Sequence, residues 1–187
     1  MKGIVFNLLE GFVADTWGAE KYEEILALCP LMTKQPFVGP GTYPDADLIT
    51  IATKAAEILD LPLPDALRAF GRYCLPHLMG RMPQLRSQYT NPKSLLLAVE
   101  EVVHVEVRKL MPAAVTPTFV YDSLLSDRIV LYYQSERKLC FFMEGLLEGL
   151  ALEYQTDLDC RQSRCMHAGA PNCRFEIEFP ARSPRVN

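Results

Sequence analysis

Histidine is scarce in this chain: its 187 residues hold three, at positions 77, 104 and 167, so any chemistry that needs an imidazole has three places to be. Charge of one sign is scarce as well. With 19 Lys and Arg against 23 Asp and Glu the balance is -4, which leaves no basic footprint for a phosphate backbone and argues against nucleic acid as a partner. No uninterrupted apolar run approaches the roughly 18 to 20 residues that span a bilayer, so membrane insertion is not expected. The opening run from Met1 to Glu10 looks like a signal peptide at first sight. Glu10 and Asp15 interrupt it and no small-residue cleavage site follows, so it reads as a first helix and the protein as cytoplasmic. No grouping of the Ser-His-Asp kind is apparent either, and no enzymatic turnover is expected.

What is present is apolar bulk and cysteine. At 49% hydrophobic and 22% charged residues, the chain has the composition of one globular domain with a sizeable core. Six cysteines fall at 29, 74, 140, 160, 165 and 173, four of them in the last third. In a compartment that keeps thiols reduced, such clustering points to metal binding or redox sensing rather than to a disulfide framework.

Periodicity divides the chain into a helical first half and a mixed second half. Val5, Leu8, Leu9, Phe12 and Val13 recur at helical spacing from Gly3 to Trp17, and a second short helix covers Ala19 to Leu28. After a loop rich in proline and glycine, Asp45 or Asp47 can cap a helix to about Leu59, and another runs from Leu61–Pro64 to about Gly80. Asn91 and Pro92 start a helix that runs to Met111 and is ended by Pro112, with Leu96, Val99, Val103, Val107 and Leu110 as its core stripe. Thr118 to Leu125 and Arg128 to Ser135 read as strands joined at Ser126 and Asp127, Arg137 to Tyr154 as a helix, and Thr156 to Gln162 and Cys173 to Phe179 as two further strands. The fold class is α+β.

Two groups of residues could carry chemistry. His104 is the best-placed histidine, on a well-capped helix among Leu97, Val103 and Val107, although spacing alone reads it as a hydrogen-bonded core residue. Tyr133, Ser135 and Arg137 alternate at the end of a strand, so two hydroxyls and a guanidinium emerge on one face. That set suits the carboxylates of a ligand, while pattern alone reads it as a solvated polar face.

Taken together, these residues resemble the haem-nitric oxide/oxygen binding (H-NOX) family. A histidine on a long helix is followed by Tyr133-Gln134-Ser135-Glu136-Arg137, and Met1-Lys2-Gly3, Ala69-Phe70-Gly71 and Pro117 match as well. The resemblance implies haem b, with His104 on the iron, Tyr133, Ser135 and Arg137 on the propionates, and Pro117 against the porphyrin. It divides the chain into a distal helical part at about 1–62 and a proximal part at about 63–187. Val5, Leu9, Cys74, Leu78, Phe142 and Leu146 would line the distal side. Family members that hold oxygen place a tyrosine where this chain has Phe142. The expectation is therefore a ferrous sensor that binds nitric oxide and carbon monoxide but does not hold oxygen stably. Nitric oxide would release His104 and let the haem relax, and the output would pass to a separate histidine kinase or cyclic-di-GMP enzyme.

The terminal cysteines resemble those of H-NOX proteins that bind zinc through three cysteines and a histidine. Here Cys140, Cys165 and Cys173 match, with Cys165-Met166-His167 opening the motif, but Gln162 stands in the histidine's place. Cys160 or His167 are then the candidates for the fourth ligand. Oxidation of the thiols is a second input that this cluster allows. Two rival readings are a vinyl reductase-like small-molecule module, which the final Cys173-Arg174-Phe175-Glu176-Ile177 segment also resembles, and a zinc-thiol redox switch that works without haem.

Overall fold

The apolar stripe of the first fifteen helical residues becomes α1 (Gly3–Trp17), which buries Phe6, Leu8, Leu9, Phe12 and Val13. A computed structural model describes residues 1–34, 36–110, 114–125 and 127–180. α2 (Ala19–Ala27), α3 (Asp45–Ile58) and α4 (Leu63–Arg81) follow, close to the expected spans. Neither aspartate caps α3, because Pro44 occupies the capping position. Asp47 instead turns inward, 2% exposed, and accepts from the amides of Met32 and Thr33 at 2.8 and 3.1 Å. A buried carboxylate needs such donors, and this one pins the loop ahead of α3. Asp45 is used elsewhere, as described below.

A short α5 (Pro83–Gln88) was not anticipated from periodicity. The helix that carries His104 is not continuous. α6 (Pro92–Ala98) is capped by Asn91, whose side chain accepts from the amide of Ser94, and a π turn over Val99–Val103 separates it from α7 (His104–Leu110). A π turn inserts a residue into the helical register. The stripe expected from an unbroken period therefore drifts: Leu96 is buried, Val99, Val103 and Val107 are half-buried, and Leu110 is 77% exposed. Met111 and Pro112 lie outside the described residues, as does Ser126.

Four strands, β1 (Thr118–Leu125), β2 (Arg128–Gln134), β3 (Asp159–Arg164) and β4 (Cys173–Glu178), form one antiparallel sheet in the order β1-β2-β4-β3. Both the α+β class and the hairpin of β1 and β2 agree with the sequence reading. Ile129, Leu131 and Tyr133 of β2 and Cys173, Phe175 and Ile177 of β4 alternate inward, where they meet α8 (Cys140–Glu153).

The apolar interior has two centres. One gathers α1 to α3 with Phe70 and Cys74 of α4, and the other gathers the sheet, α8 and Met79 of α4. α4 thus begins where the distal part was expected to end and serves both cores. Its closest partner is α8. The approach depends on Gly71, Gly145 and Gly149, since a Cβ on any of them would meet atoms of the other helix inside contact distance.

Candidate functional site

His104 opens α7 directly after the π turn, with its side chain 13% exposed. Nδ1 lies 3.0 Å from Glu100 Oε2. An ionised carboxylate only accepts, so Nδ1 carries the hydrogen and donates it, and the lone pair is left on Nε2. Nε2 has no hydrogen bond among the described residues. Glu100 is itself fixed: Oε2 also accepts from the Phe119 amide at 3.0 Å, and Oε1 is 3.5 Å from Arg108 Nη1. The Phe119 ring sits edge-on to the imidazole, 5.1 Å between centroids. A carboxylate behind the ring sets the tautomer, the orientation and the basicity of a metal-binding histidine.

Glu100 was missed in the sequence. Its signal was there, a carboxylate four residues before the histidine on one helix, but the π turn that aims it could not be read.

Burial pushes the His104 pKa below the ordinary 6.5, outweighing the upward pull of Glu100, with Arg108 adding to the fall. The neutral imidazole is therefore the folded form at neutral pH. The unfolded chain takes up a proton below pH 6.5 that folded His104 still refuses, so folding free energy is full above 6.5 and declines as pH drops through the window down to the lowered folded value. In urea melts of the haem-free chain, each pH unit in that window should cost up to about 1.4 kcal/mol. A His104→Gln variant should lose this slope; an unchanged slope would mean that His104 is not the group responsible.

The polar triplet is brought together, but not as three side chains on one open face. Tyr133 is 4% exposed, and burial raises its hydroxyl pKa against the opposing pull of nearby Ser135 and the Leu139 backbone. Ser135 accepts from the Arg137 amide at 3.3 Å. β2 ends at Gln134, and Arg137 reaches across to the first helices, with Nε 2.7 Å from Asp45 Oδ2 and Nη1 2.7 Å from the Val115 carbonyl. Asp45 also holds the amino group of Met1 at 2.5 Å. Burial opposes the charge on Asp45, but the amino group and Arg137 outweigh it and keep the carboxyl below its usual range. Asp45 is the second residue that periodicity could not assign, since its partners are 44 and 92 positions away. Pro117 is half-buried, two residues ahead of Phe119.

The six residues expected on the distal side do meet. Leu9 and Cys74 belong to the first core, and Val5, Leu78, Phe142 and Leu146 pack against it. Phe142 lies 5.1 Å from the Phe70 ring. Among these side chains the only donor is the Cys74 thiol, which burial pushes well above the usual thiol range.

Haem fits these residues. An imidazole with one nitrogen unbonded and the other anchored is a ligand for iron, a guanidinium and two hydroxyls suit carboxylates, and the residues expected beside the ring are apolar.

At the same end of the sheet, where Cys173 pairs with Tyr133 across β2 and β4, the sulfurs of Cys140, Cys165 and Cys173 lie within 4.8 Å of one another. Cys160 is outside this group, opposite Ile177 on β4 and packed against the second core. Nor does His167 join it: Nε2 lies 2.8 Å from the Lys138 carbonyl, and the ring stacks on Phe141.

A family model described as haem-NO-binding matches residues 2–162. No curated protein matches the chain. Among solved structures, the chain is similar to an H-NOX protein from S. oneidensis in its Fe(II)NO state, with 32% identity, a TM-score of 0.90, and 97% of this chain and 100% of the other covered. It is also similar to the Shewanella oneidensis H-NOX domain in its Fe(II)CO state (32% identity, TM-score 0.87, 97% and 100% covered). The IWP-051-bound H-NOX from Shewanella woodyi, again in an Fe(II)CO state, shares 29% identity with a TM-score of 0.83, 100% and 97% covered. The match of sequence and fold over nearly the whole length agrees with what the anchored imidazole and its polar neighbours require, and the chain belongs to the haem-NO-binding, or H-NOX, family.

Proposed function

We propose that the chain is a haem-based sensor of nitric oxide, built on His104. The observation that carries this reading is the imidazole itself: it is half-buried, held neutral, tied through Nδ1 to Glu100, and without a hydrogen bond at Nε2 among the described residues. Haem b, when bound, would be held by His104 through Nε2 and would supply a ferrous iron able to take nitric oxide or carbon monoxide. Arg137, Ser135 and Tyr133 bind the propionates, and Pro117 packs on the ring. With Arg137 already tied to Asp45, the propionate site and the first helices are mechanically one unit. The output is release of His104 and a shift of α7, read by a separate histidine kinase or cyclic-di-GMP enzyme. A nitrosyl spectrum of the five-coordinate type supports that release, and a persistent six-coordinate one overturns it.

Selectivity rests on Phe142. Bound oxygen draws electron density and needs a hydrogen-bond donor in its pocket, and a phenyl ring has none. Phe142→Tyr places a hydroxyl on the same ring, and the ferrous variant should form an oxygen complex in air that the parent lacks. Absorption spectra under air and under argon decide the matter: a parent that holds oxygen, or a tyrosine variant that does not, would remove Phe142 from this role.

The thiol cluster supports a second input. Cys140 and Cys165 have their sulfurs 3.7 Å apart, near enough for a disulfide of about 2.05 Å to form with a small movement. Reduced, the three thiolates suit zinc.

A further inference from the structure

The cysteine cluster departs from a closed zinc site in one respect that the surrounding residues make specific. Tetrahedral zinc with Zn–S bonds near 2.3 Å separates its sulfurs by about 3.8 Å, and Cys140 and Cys165 stand at 3.7 Å. The three sulfurs are fixed by different elements: Cys140 is the first residue of α8, Cys173 the first of β4, and Cys165 lies just past β3. Cys173 Sγ accepts from the Met166 amide at 3.2 Å, the kind of outer contact that holds a thiolate in place. Three ligands are thus arranged.

The fourth direction belongs to Gln162. Its register on β3, opposite Phe175, turns it inward, and it lies against the Cys140 thiol. Its Nε2 is buried without a hydrogen-bond partner among the described residues. A half-turn of the terminal amide exchanges nitrogen for oxygen, so either end can face the sulfurs. The alternatives lie elsewhere, since His167 is held by the Lys138 carbonyl and Cys160 is outside the group of sulfurs, opposite Ile177. Gln162 and Cys165 also share the lining of a recess open to solvent, with Ser163, Arg164, Ala168 and Ala170.

Closed structural zinc sites use thiolates and imidazoles, whereas reactive sites keep one position open. A carboxamide oxygen suits harder cations and is a weak fourth ligand for zinc. Resting on the zinc reading above, we propose that Cys140, Cys165 and Cys173 hold zinc on three sides only. The fourth position is held weakly by Gln162 and is exchangeable with a neutral nitrogen or sulfur ligand that enters from the recess.

The test uses the haem-loaded, reduced protein with one equivalent of zinc. Zinc X-ray absorption should show three sulfurs and one oxygen or nitrogen, and added imidazole should introduce the scattering signature of a ring. Gln162→His should show that signature without added imidazole, should not respond to it, and should hold zinc on the order of tenfold or more tightly in chelator competition. A parent with zinc bound but four sulfurs, or with no response to imidazole, overturns the open position and leaves the zinc reading standing. A parent that binds no zinc, or binds it equally well as Cys165→Ser, overturns both.

Discussion

His104→Gly should yield protein that is folded but without its Soret band, and added imidazole should restore the band. The expectation follows from how few imidazoles the chain has and where the other two are. His77 is exposed, its Nδ1 beside the Tyr73 carbonyl at 2.8 Å and its ring stacked on Tyr73, and His167 is held next to the thiols. Among the described residues, neither has a carboxylate anchoring one ring nitrogen as Glu100 anchors that of His104. Loss of an outer partner alone typically lowers metal affinity by ~10–100-fold, and loss of the ligand should cost at least as much.

Rescue tests the geometry as well as the ligand. A glycine at position 104 leaves a space beside Phe119 with the Glu100 carboxylate at its end, and an added imidazole can donate one N–H to that carboxylate and turn its lone pair the other way. The same rescue should weaken in a double variant that also carries Glu100→Leu, because the ring is then unanchored. An unchanged Soret band in His104→Gly would end the assignment.

Gly145→Ala should be strongly destabilising for a single added methyl group. The added Cβ would lie inside contact distance of the Arg68 carbonyl oxygen and 2.8 Å from both the Arg68 carbonyl carbon and the Arg72 nitrogen. These are backbone atoms, which cannot rotate away as a side chain could, so α4 and α8 must separate. The separation would loosen Phe70 and Cys74 on one helix and Phe142 and Leu146 on the other, which pack together in the first core. Overpacking of this kind costs about 1–3 kcal/mol and more where the neighbours are rigid. A urea midpoint lower by about 1 M is the expected readout for a domain of this size. Gly80→Ala in the partner helix α4 is the control, because its Cβ would meet nothing within 4 Å. It should stabilise by up to about 1 kcal/mol through the lost freedom of glycine in the unfolded chain. Equal stabilities of the two variants would mean that the helix contact is not as close as described.

What the amino-acid pattern determined by itself was what depends on near neighbours. Helical stripes, strand alternation and turn residues are set within a few positions, so α1, α4, α8 and the β1–β2 hairpin were legible, as was the class α+β. The family was legible because His104 and the segment from Tyr133 to Arg137 have a recognisable spacing. Where a local rule failed, a distant partner had overridden it: Asp45 leaves its capping role for Met1 and Arg137, and Asp47 turns in to bind Met32 and Thr33.

The tertiary structure alone decided the rest. The π turn at Val99–Val103 adds one residue to the register, and the Phe119 amide and Arg108 fix Glu100 behind His104. Sheet order brings Cys173 of β4 to the start of α8, so Cys140, Cys165 and Cys173 meet while Cys160, closer in sequence to Cys165, does not. His104 itself illustrates the division. Its residue type and spacing made it a candidate, but burial, the Glu100 anchor and the open Nε2 are properties of the fold, because each is made by residues from a different element.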